Sequence, residues 1–356
     1  LQFSLKAPNL GALGAEFIES GRLRVLYPPT PGAFVALGLN DDKKQFREVW
    51  SIADKRKLGQ IRNLEFGSSR AQTLSPDGKY FAGKPQWDSA ITIFSLEQNK
   101  ALPSIKLNGQ SCKLIAFSGA SRLVFDDKKE LRIFGVPGLS QTGSIKLGNW
   151  KVEDGWTLSG GGRYFAAITR KGAAAGIAVY DLDNSASPAV SIKGEPDIQG
   201  VAFSPDGQLL AATAGSRAAN LIVWKTQNGA VAGKLDLGSI ADQITPIENY
   251  QGQRILWLPD NRHLLLGGRA VIDSLTGKLV HEISPLTLYG IQPVAADQLA
   301  ILEAGSLISL DISKSLKTPE NPTSEPQGTP DPASVATEKP VDRSMVTRTE
   351  LEEIEW

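Results

Sequence analysis

The chain has 356 residues, 41% of them hydrophobic, and its 38 basic side chains balance 38 acidic ones. Its one cysteine, Cys112, excludes an internal disulfide and any multi-cysteine zinc or iron–sulfur site, and no apolar run reaches the ~18 residues of a membrane helix. The length suits two or three small domains or one large repetitive one.

The first recognisable element is Phe3-Ser4-Leu5-Lys6, a short segment of alternating polarity. From Arg22 a single phrase then recurs: a short apolar segment, a turn, a second apolar segment, a loop, and a third segment carrying an aromatic or large aliphatic residue. Its copies begin at Arg22, Ala71, Lys113, Gly155, Gly200, Arg254 and Tyr289. The clearest are AQTLSPDGKYFAG and GVAFSPDGQLLAA. Aligning the third segments stacks Trp50, Phe94, Phe134, Tyr180, Trp224, Ile272 and Leu310 in one column, at spacings of 38 to 48 residues. That period matches the roughly 40–45 residues of a four-stranded propeller blade.

The turns argue for strands. In Ser204-Pro205-Asp206-Gly207 the proline fixes φ, the aspartate suits the second central position, and the glycine takes a positive φ. Ser75-Pro76-Asp77-Gly78 repeats it, and Gly160-Gly161-Gly162 and Pro259-Asp260-Asn261 are substitutes. A fourth segment follows each column residue, as in Ser104–Leu107, Ser144–Leu147 and Ser191–Lys193. The sequence therefore predicts an all-β fold, a seven-bladed propeller of four-stranded antiparallel blades over residues 1–317. Two segments compete to complete the last blade, Phe3–Lys6 and Ser315–Lys317. If the second wins, residues 1–6 are the outer strand of a further blade. Because the first residue is Leu1, an upstream segment is also expected to have been removed or left out.

On these residues the chain resembles the WD40-type β-propellers, in particular the divergent WD40-like repeats of bacterial proteins that carry FSPDG turns. Tyr180-Asp181 stands where that family has Trp-Asp, and Trp224-Lys225, Trp50-Ser51 and Ile272-Asp273 match in part. The chain has no Gly-His dipeptide, so the family's Asp-His-Ser-Trp hydrogen-bond network has no counterpart.

Catalytic signals are sparse. His263 and His281, 18 positions apart, match neither a metal pair nor a nucleophile–base arrangement, and a structural role is expected for both. There is no phosphate loop, nucleophile elbow or EF-hand spacing. The inner segments carry no aspartate, glutamate or histidine, and Cys112 reads as a structural thiol. No catalytic residue, metal or cofactor is therefore assigned.

Charge is unevenly placed. Residues 318–356 hold nine acids against three bases, a balance of −6, which leaves +6 on residues 1–317. That excess is too dilute for a nucleic-acid reader, and the runs Lys43-Lys44 and Lys128-Lys129, which follow aspartate pairs that cancel them, read as solvated loops. Residues 318–340, with six prolines and no aromatic, read as a flexible linker. Residues 341–356 read as an acidic tail in which Thr349-Glu350-Leu351-Glu352 has the spacing of a helix capping box.

Binding is thus the favoured use. In a WD40-like ring the second-to-third-strand loops and the loops leading into each blade share one face. Trp87, Trp150, Arg170, Lys171, Arg217 and Tyr250 fall in them, Tyr250 on a long flap at 238–253. Leu351, Ile354 and Trp356 form a candidate docking motif in the tail. The expected function is a non-catalytic scaffold for other proteins, with no nucleic acid and no membrane insertion, in a bacterial cytoplasm or periplasm. The rival is an enzyme or small-ligand-binding propeller with a loop-built site.

Overall fold

The computed structural model describes residues 17–311 and 348–350, apart from 21–22, 27–33, 40–45, 52–55, 62–71, 86–87, 110–111, 128–129, 147–154, 172–173, 185–187, 194–197, 216–219, 245–254, 284–287, 296–297 and 304–305. Strands dominate these residues, and every pairing among them is antiparallel, between strands consecutive in the chain except for β10 on β8.

The first sheet runs β1 (Phe17–Ser20), β2 (Leu23–Leu26), β3 (Phe34–Leu39), β4 (Phe46–Ser51) and β5 (Arg56–Gln60). The second has β6 (Gln72–Leu74), β7 (Tyr80–Gly83) and β8 (Ala90–Ser95), with an outer line divided between β9 (Lys100–Ala101) and β10 (Ile105–Lys106). Four-stranded sheets follow. The third holds β11 (Ile115–Ser118), β12 (Arg122–Asp127), β13 (Glu130–Gly135) and β14 (Gln141–Lys146). The fourth holds β15 (Trp156–Leu158), β16 (Tyr164–Lys171), β17 (Ala174–Asp181) and β18 (Val190–Lys193). The fifth holds β19 (Gly200–Phe203), β20 (Leu209–Ala214), β21 (Asn220–Lys225) and β22 (Val231–Asp236). The sixth holds β23 (Ile255–Trp257), β24 (His263–Leu266), β25 (Ala270–Asp273) and β26 (Leu279–Glu282). The seventh holds β27 (Leu288–Ala295), β28 (Gln298–Glu303), β29 (Ser306–Asp311) and β30 (Arg348–Glu350). First strands adjoin those of neighbouring sheets, β6 with β11, β15 with β19, β19 with β23 and β23 with β27, and β27 also lies against β1.

Every residue of the aligned column sits on the third strand of its repeat's four, β4 in the first sheet because β1 precedes the repeat. Strand register turns the column into buried rows: Leu158–Phe165–Tyr180, Phe203–Leu210–Trp224 and Trp257–Leu264–Ile272 each cross three strands. Beside Trp50, Phe134, Trp224 and Ile272 the outer pairing shifts register, a bulge that lets the outer strand twist away.

One sequence expectation is corrected at the last sheet. Its fourth strand is Arg348–Glu350, whereas the two segments expected to compete for that place, Phe3–Lys6 and Ser315–Lys317, lie outside the described residues. Thr349 and Glu350 are extended, because the edge of β29 offers them ladder partners, and the helical turn expected beyond them, over residues 351–356, lies outside the described residues.

The hairpin turns hold more than their backbone conformation. Ser204 is fully buried; its hydroxyl donates to Asp206 Oδ1 at 2.6 Å and accepts from the Leu209 amide at 2.9 Å. Asp206 Oδ1 also accepts from the Gln208 amide. Ser75, Asp77 and Tyr80 repeat the clamp at 2.6 and 2.9 Å, and Ser159 keeps its half with Tyr164 at 3.0 Å. Neighbouring turns also touch. Ser118 Oγ and Arg122 donate to the Gly162 carbonyl, and the Asp206 amide donates to Asn261 Oδ1 at 2.9 Å. Gly162 has φ +71°, and a Cβ there would lie 2.3 Å from the Gly119 nitrogen.

At the same end, the aspartates that follow the column residues pair with arginines from the hairpin turns. Arg163 donates through Nε and Nη2 to Asp181 Oδ2 at 3.1 and 2.8 Å, and Arg262 Nε donates to Asp273 Oδ2 at 2.7 Å. The hydrogen bond from Arg163 holds Asp181 below the usual carboxylate range. Burial alone would raise Asp273, but Arg262 and the Thr276 and Leu275 amides outweigh it and hold it low. His263 is buried with Nδ1 against Asp260 Oδ2 in the same row of turns, and burial lowers His281 from its ordinary 6.5.

Ser204→Ala strands the Leu209 amide and is expected to cost about 1–3 kcal/mol, read from the urea midpoint. Gly162→Ala is expected to cost at least as much. The left-handed conformation alone penalises a β-carbon by about 1–2 kcal/mol, before the collision with Gly119 is counted.

Acid should weaken the fold in two stages. A depressed histidine contributes stability that is full above its unfolded pKa of about 6.5 and is lost as pH falls toward the folded value. The depressed Asp181 and Asp273 follow the same sign below about pH 4, whereas Asp126, raised by burial, acts in the opposite sense and above about pH 4, gaining stability as pH falls through its raised folded value. The urea midpoint should therefore fall between pH 7 and 5, and His281→Gln should flatten that interval while leaving the steeper loss below it.

Candidate interaction face

The hairpin turns between first and second strands occupy one end of the sheets, and the second-to-third-strand loops and the loops leading into each sheet occupy the other. Of the residues singled out from sequence, Trp87, Trp150, Arg217, Tyr250, Leu351, Ile354 and Trp356 lie outside the described residues. Arg170 and Lys171 close β16, opposite Ala175 and Ala174 of β17, and so stand at the loop end. Arg170 is exposed, and its Nη2 donates to the Ile198 carbonyl at 3.1 Å in the loop leading into the fifth sheet.

This bond belongs to a wider pattern that the sequence did not disclose. Gln199 Nε2 donates to the Gly215 carbonyl at 2.7 Å, joining the inbound loop of the fifth sheet to its second-to-third-strand loop. Arg269 Nη1 donates to the Asp242 carbonyl at 3.1 Å and Nη2 to Glu282 Oε1 at 3.3 Å. The described part of the long connection before the sixth sheet is accordingly pinned. Gly238–Ile240 is a 3₁₀ turn and Ala241–Ile244 a single helical turn, with Leu237 and Ile244 buried between the fifth and sixth sheets. The expected flap is thus anchored at its start; residues 245–254 lie outside the described set.

The densest knot is at the end of β12. Asp127 accepts from the Asn108 and Gly109 amides at 2.7 and 2.9 Å and pairs with Arg132 Nη1 at 3.0 Å. Asp126 Oδ1 accepts from the Lys113 and Leu114 amides at 2.7 and 2.6 Å. Lys128-Lys129, read from sequence as a solvated loop, lies outside the described residues, but the aspartate pair before it is not solvated. Both are buried because each has backbone donors in the loop leading into the third sheet, and buried charge must be paired. Arg132 lies over the Phe125 and Phe134 rings and also donates to the Lys106 carbonyl, bracing the second sheet against the third. The only sequence signal was two consecutive acids at the end of an apolar strand.

Cys112 sits in the same knot with its thiol directed to the Leu114 carbonyl at 3.2 Å. Burial, with Asp126 beside it, pushes the thiol far above its ordinary range, so it stays protonated and is a poor nucleophile. Among the described residues no group of three or more His, Cys, Asp or Glu side chains is arranged to hold a metal ion. Likewise no described helix is long and apolar enough to cross a membrane. The arrangement can present a set of cross-braced loops to a partner.

No protein-family model matches the sequence, and no curated protein matches it. Solved structures do. Hsv2 of Kluyveromyces marxianus superposes with a TM-score of 0.55 at 12% identity, over 78% of this chain and 89% of that one. The β-propeller domain of Cps50 (Swd1) from Myceliophteria thermophila gives 0.54 at 12%, over 81% and 95%. Hydrazine synthase of Kuenenia stuttgartiensis gives 0.54 at 12%, over 87% and 99%. At such identities the likeness is one of fold, and the fold is a β-propeller.

Asp127→Ala is expected to release residues 108–109, seen as faster amide exchange there than in β13, together with a loss of about 3–5 kcal/mol from leaving Arg132 without its carboxylate. Asp127→Asn keeps an acceptor and should lose less.

Proposed function

We propose that the chain is a non-catalytic, seven-bladed propeller that binds other proteins on its loop-bearing face and serves as a scaffold or subunit of a larger assembly. The observation that carries this reading is the cross-bracing of that face by Arg170, Gln199, Arg269, Asp126 and Asp127. Loops already ordered before contact lose little entropy on binding, so aromatic and arginine side chains on them convert contact into affinity efficiently. Seven copies of the repeat and the return of β27 to β1 support the blade count and a closed ring. Trp87, Trp150, Arg170, Lys171, Arg217 and Tyr250 are the proposed contacts, with Leu351, Ile354 and Trp356 as a separate docking motif in the tail. The raised pKa of Cys112 and the engagement of Asp126 and Asp127 with backbone amides speak for structural use of these groups.

An enzymatic role is the second reading, and the likeness to a chain named hydrazine synthase is what favours it. It would require convergent titratable groups from the loops outside the described residues.

The test is recovery of specific partners from the native source by the full chain and by variants. Trp87→Ala/Trp150→Ala and Arg170→Ala/Arg217→Ala are expected to weaken a partner's binding by tenfold or more, about 1.4 kcal/mol. Arg163→Ala, at the exposed turn end, should leave binding unchanged. The reverse pattern, with loss at Arg163 and none at the loop residues, would overturn the assignment of the face.

A further inference from the structure

The chain has two Asn-Gly pairs, Asn108-Gly109 and Asn228-Gly229. In such a pair the glycine nitrogen can close a five-membered ring on the asparagine side chain, because glycine carries no side chain to crowd the ring. Two conditions favour closure: a carboxamide free to turn toward that nitrogen, and a base placed to take the nitrogen's hydrogen.

The two sites differ on both counts. Asn228 Oδ1 accepts from the Ala230 amide at 3.0 Å, which holds its carboxamide in the turn, and the Gly229 amide donates to the Lys225 carbonyl at 2.8 Å, a neutral acceptor. Asn108 is exposed, and among the described residues its carboxamide has no hydrogen-bond partner. The Gly109 amide donates to Asp127 Oδ1 at 2.9 Å, within the reach of a general base. The other claims on that carboxylate, from the Asn108 amide and Arg132 Nη1, fall on Oδ2 and leave Oδ1 to Gly109.

We propose that Asn108 is a self-modification site, at which Asp127 promotes attack of the Gly109 nitrogen on the side-chain carbonyl carbon of Asn108. The new bond to Cγ forms as the amide hydrogen passes to Asp127 Oδ1. The bond from Cγ to Nδ2 then breaks, and the hydrogen leaves with that nitrogen as ammonia. Water opens the resulting succinimide at either carbonyl, giving aspartate or, with the main chain rerouted through Cβ, isoaspartate. Either product puts a second carboxylate on the residue whose amide Asp127 holds. Isoaspartate also lengthens the main chain between the two amides that one carboxylate spans. The reaction thus slackens the brace whose carboxylate promotes it, and it is independent of what the loop face binds.

The test incubates the purified full chain at neutral pH, native and in urea, and follows both sites by peptide mass spectrometry with fragmentation that separates isoaspartate from aspartate. In urea the two pairs should react at like rates. In the native chain Asn108 should outpace Asn228 by about tenfold or more, a modest share of the roughly 10²–10⁴ that a positioned base supplies. Native rates in the proportion seen in urea, or Asn228 ahead, would overturn the proposal. Asp127→Asn, checked as folded by amide exchange in β13, keeps an acceptor but no base. It should slow Asn108 by about the same tenfold and leave Asn228 unchanged. An unchanged or faster Asn108 in that variant would mean that Asp127 restrains the attack, and would equally overturn the proposal.

Discussion

Burial of both faces of each inner sheet is the constraint from which the rest of the structure follows. In the fourth sheet, Phe165, Ala167, Ala178 and Tyr180 pack toward the third sheet with Val124 and Ile133, while Ala166, Ile168, Ile177 and Val179 pack toward the fifth with Phe203 and Trp224. One strand therefore divides its residues between two cores, and no sheet can be satisfied alone. The clusters between the second and third sheets and between the fifth and sixth continue the scheme. Stability in such an array is a sum of sheet and nearest-neighbour interface terms.

Packing sheets this closely brings their turns together at one end, and that end is consequently the chemically restricted one. Gly162 is within collision distance of Gly119, and a Cβ on Gly160 would meet the Pro205 carbonyl at 2.5 Å. The buried serine hydroxyls accept the Tyr80, Tyr164 and Leu209 amides, while Arg163 and Arg262 pair with the aspartates that end two of the third strands. These pairs do the stitching that the missing Gly-His element would perform in the family the sequence resembles. Strand pairing and local Arg–Asp contacts suffice because each blade is already clamped by its neighbours.

This division explains what the sequence disclosed. The column from Trp50 to Leu310 and the Ser-Pro-Asp-Gly turns were legible because burial and positive φ each demand particular residue types at a fixed period. The inner strands read as continuous apolar runs for the same reason, since both of their faces are covered. The outer strand of the seventh sheet was illegible, because Arg348–Glu350 lies far beyond β29 in the sequence and falls outside the period of the repeat. The braces of the loop face were hidden differently. Asp126, Asp127, Gln199 and Arg269 act on backbone atoms of other loops, and a backbone amide or carbonyl has no sequence signature.

The two ends of the ring are thus ordered by different means, with different freedom to change. At the turn end the determinants are glycines in collision with neighbouring backbone, and almost no substitution at Gly162 is compatible with the packing of adjacent sheets. At the loop end a side chain instead reaches across and fixes a carbonyl or a pair of amides. Arg170 holds the loop before the fifth sheet through the Ile198 carbonyl, and Asp127 holds Asn108 and Gly109. A ring of this kind can keep its fold at very low sequence identity to other propellers while its loop face is recut for a different partner.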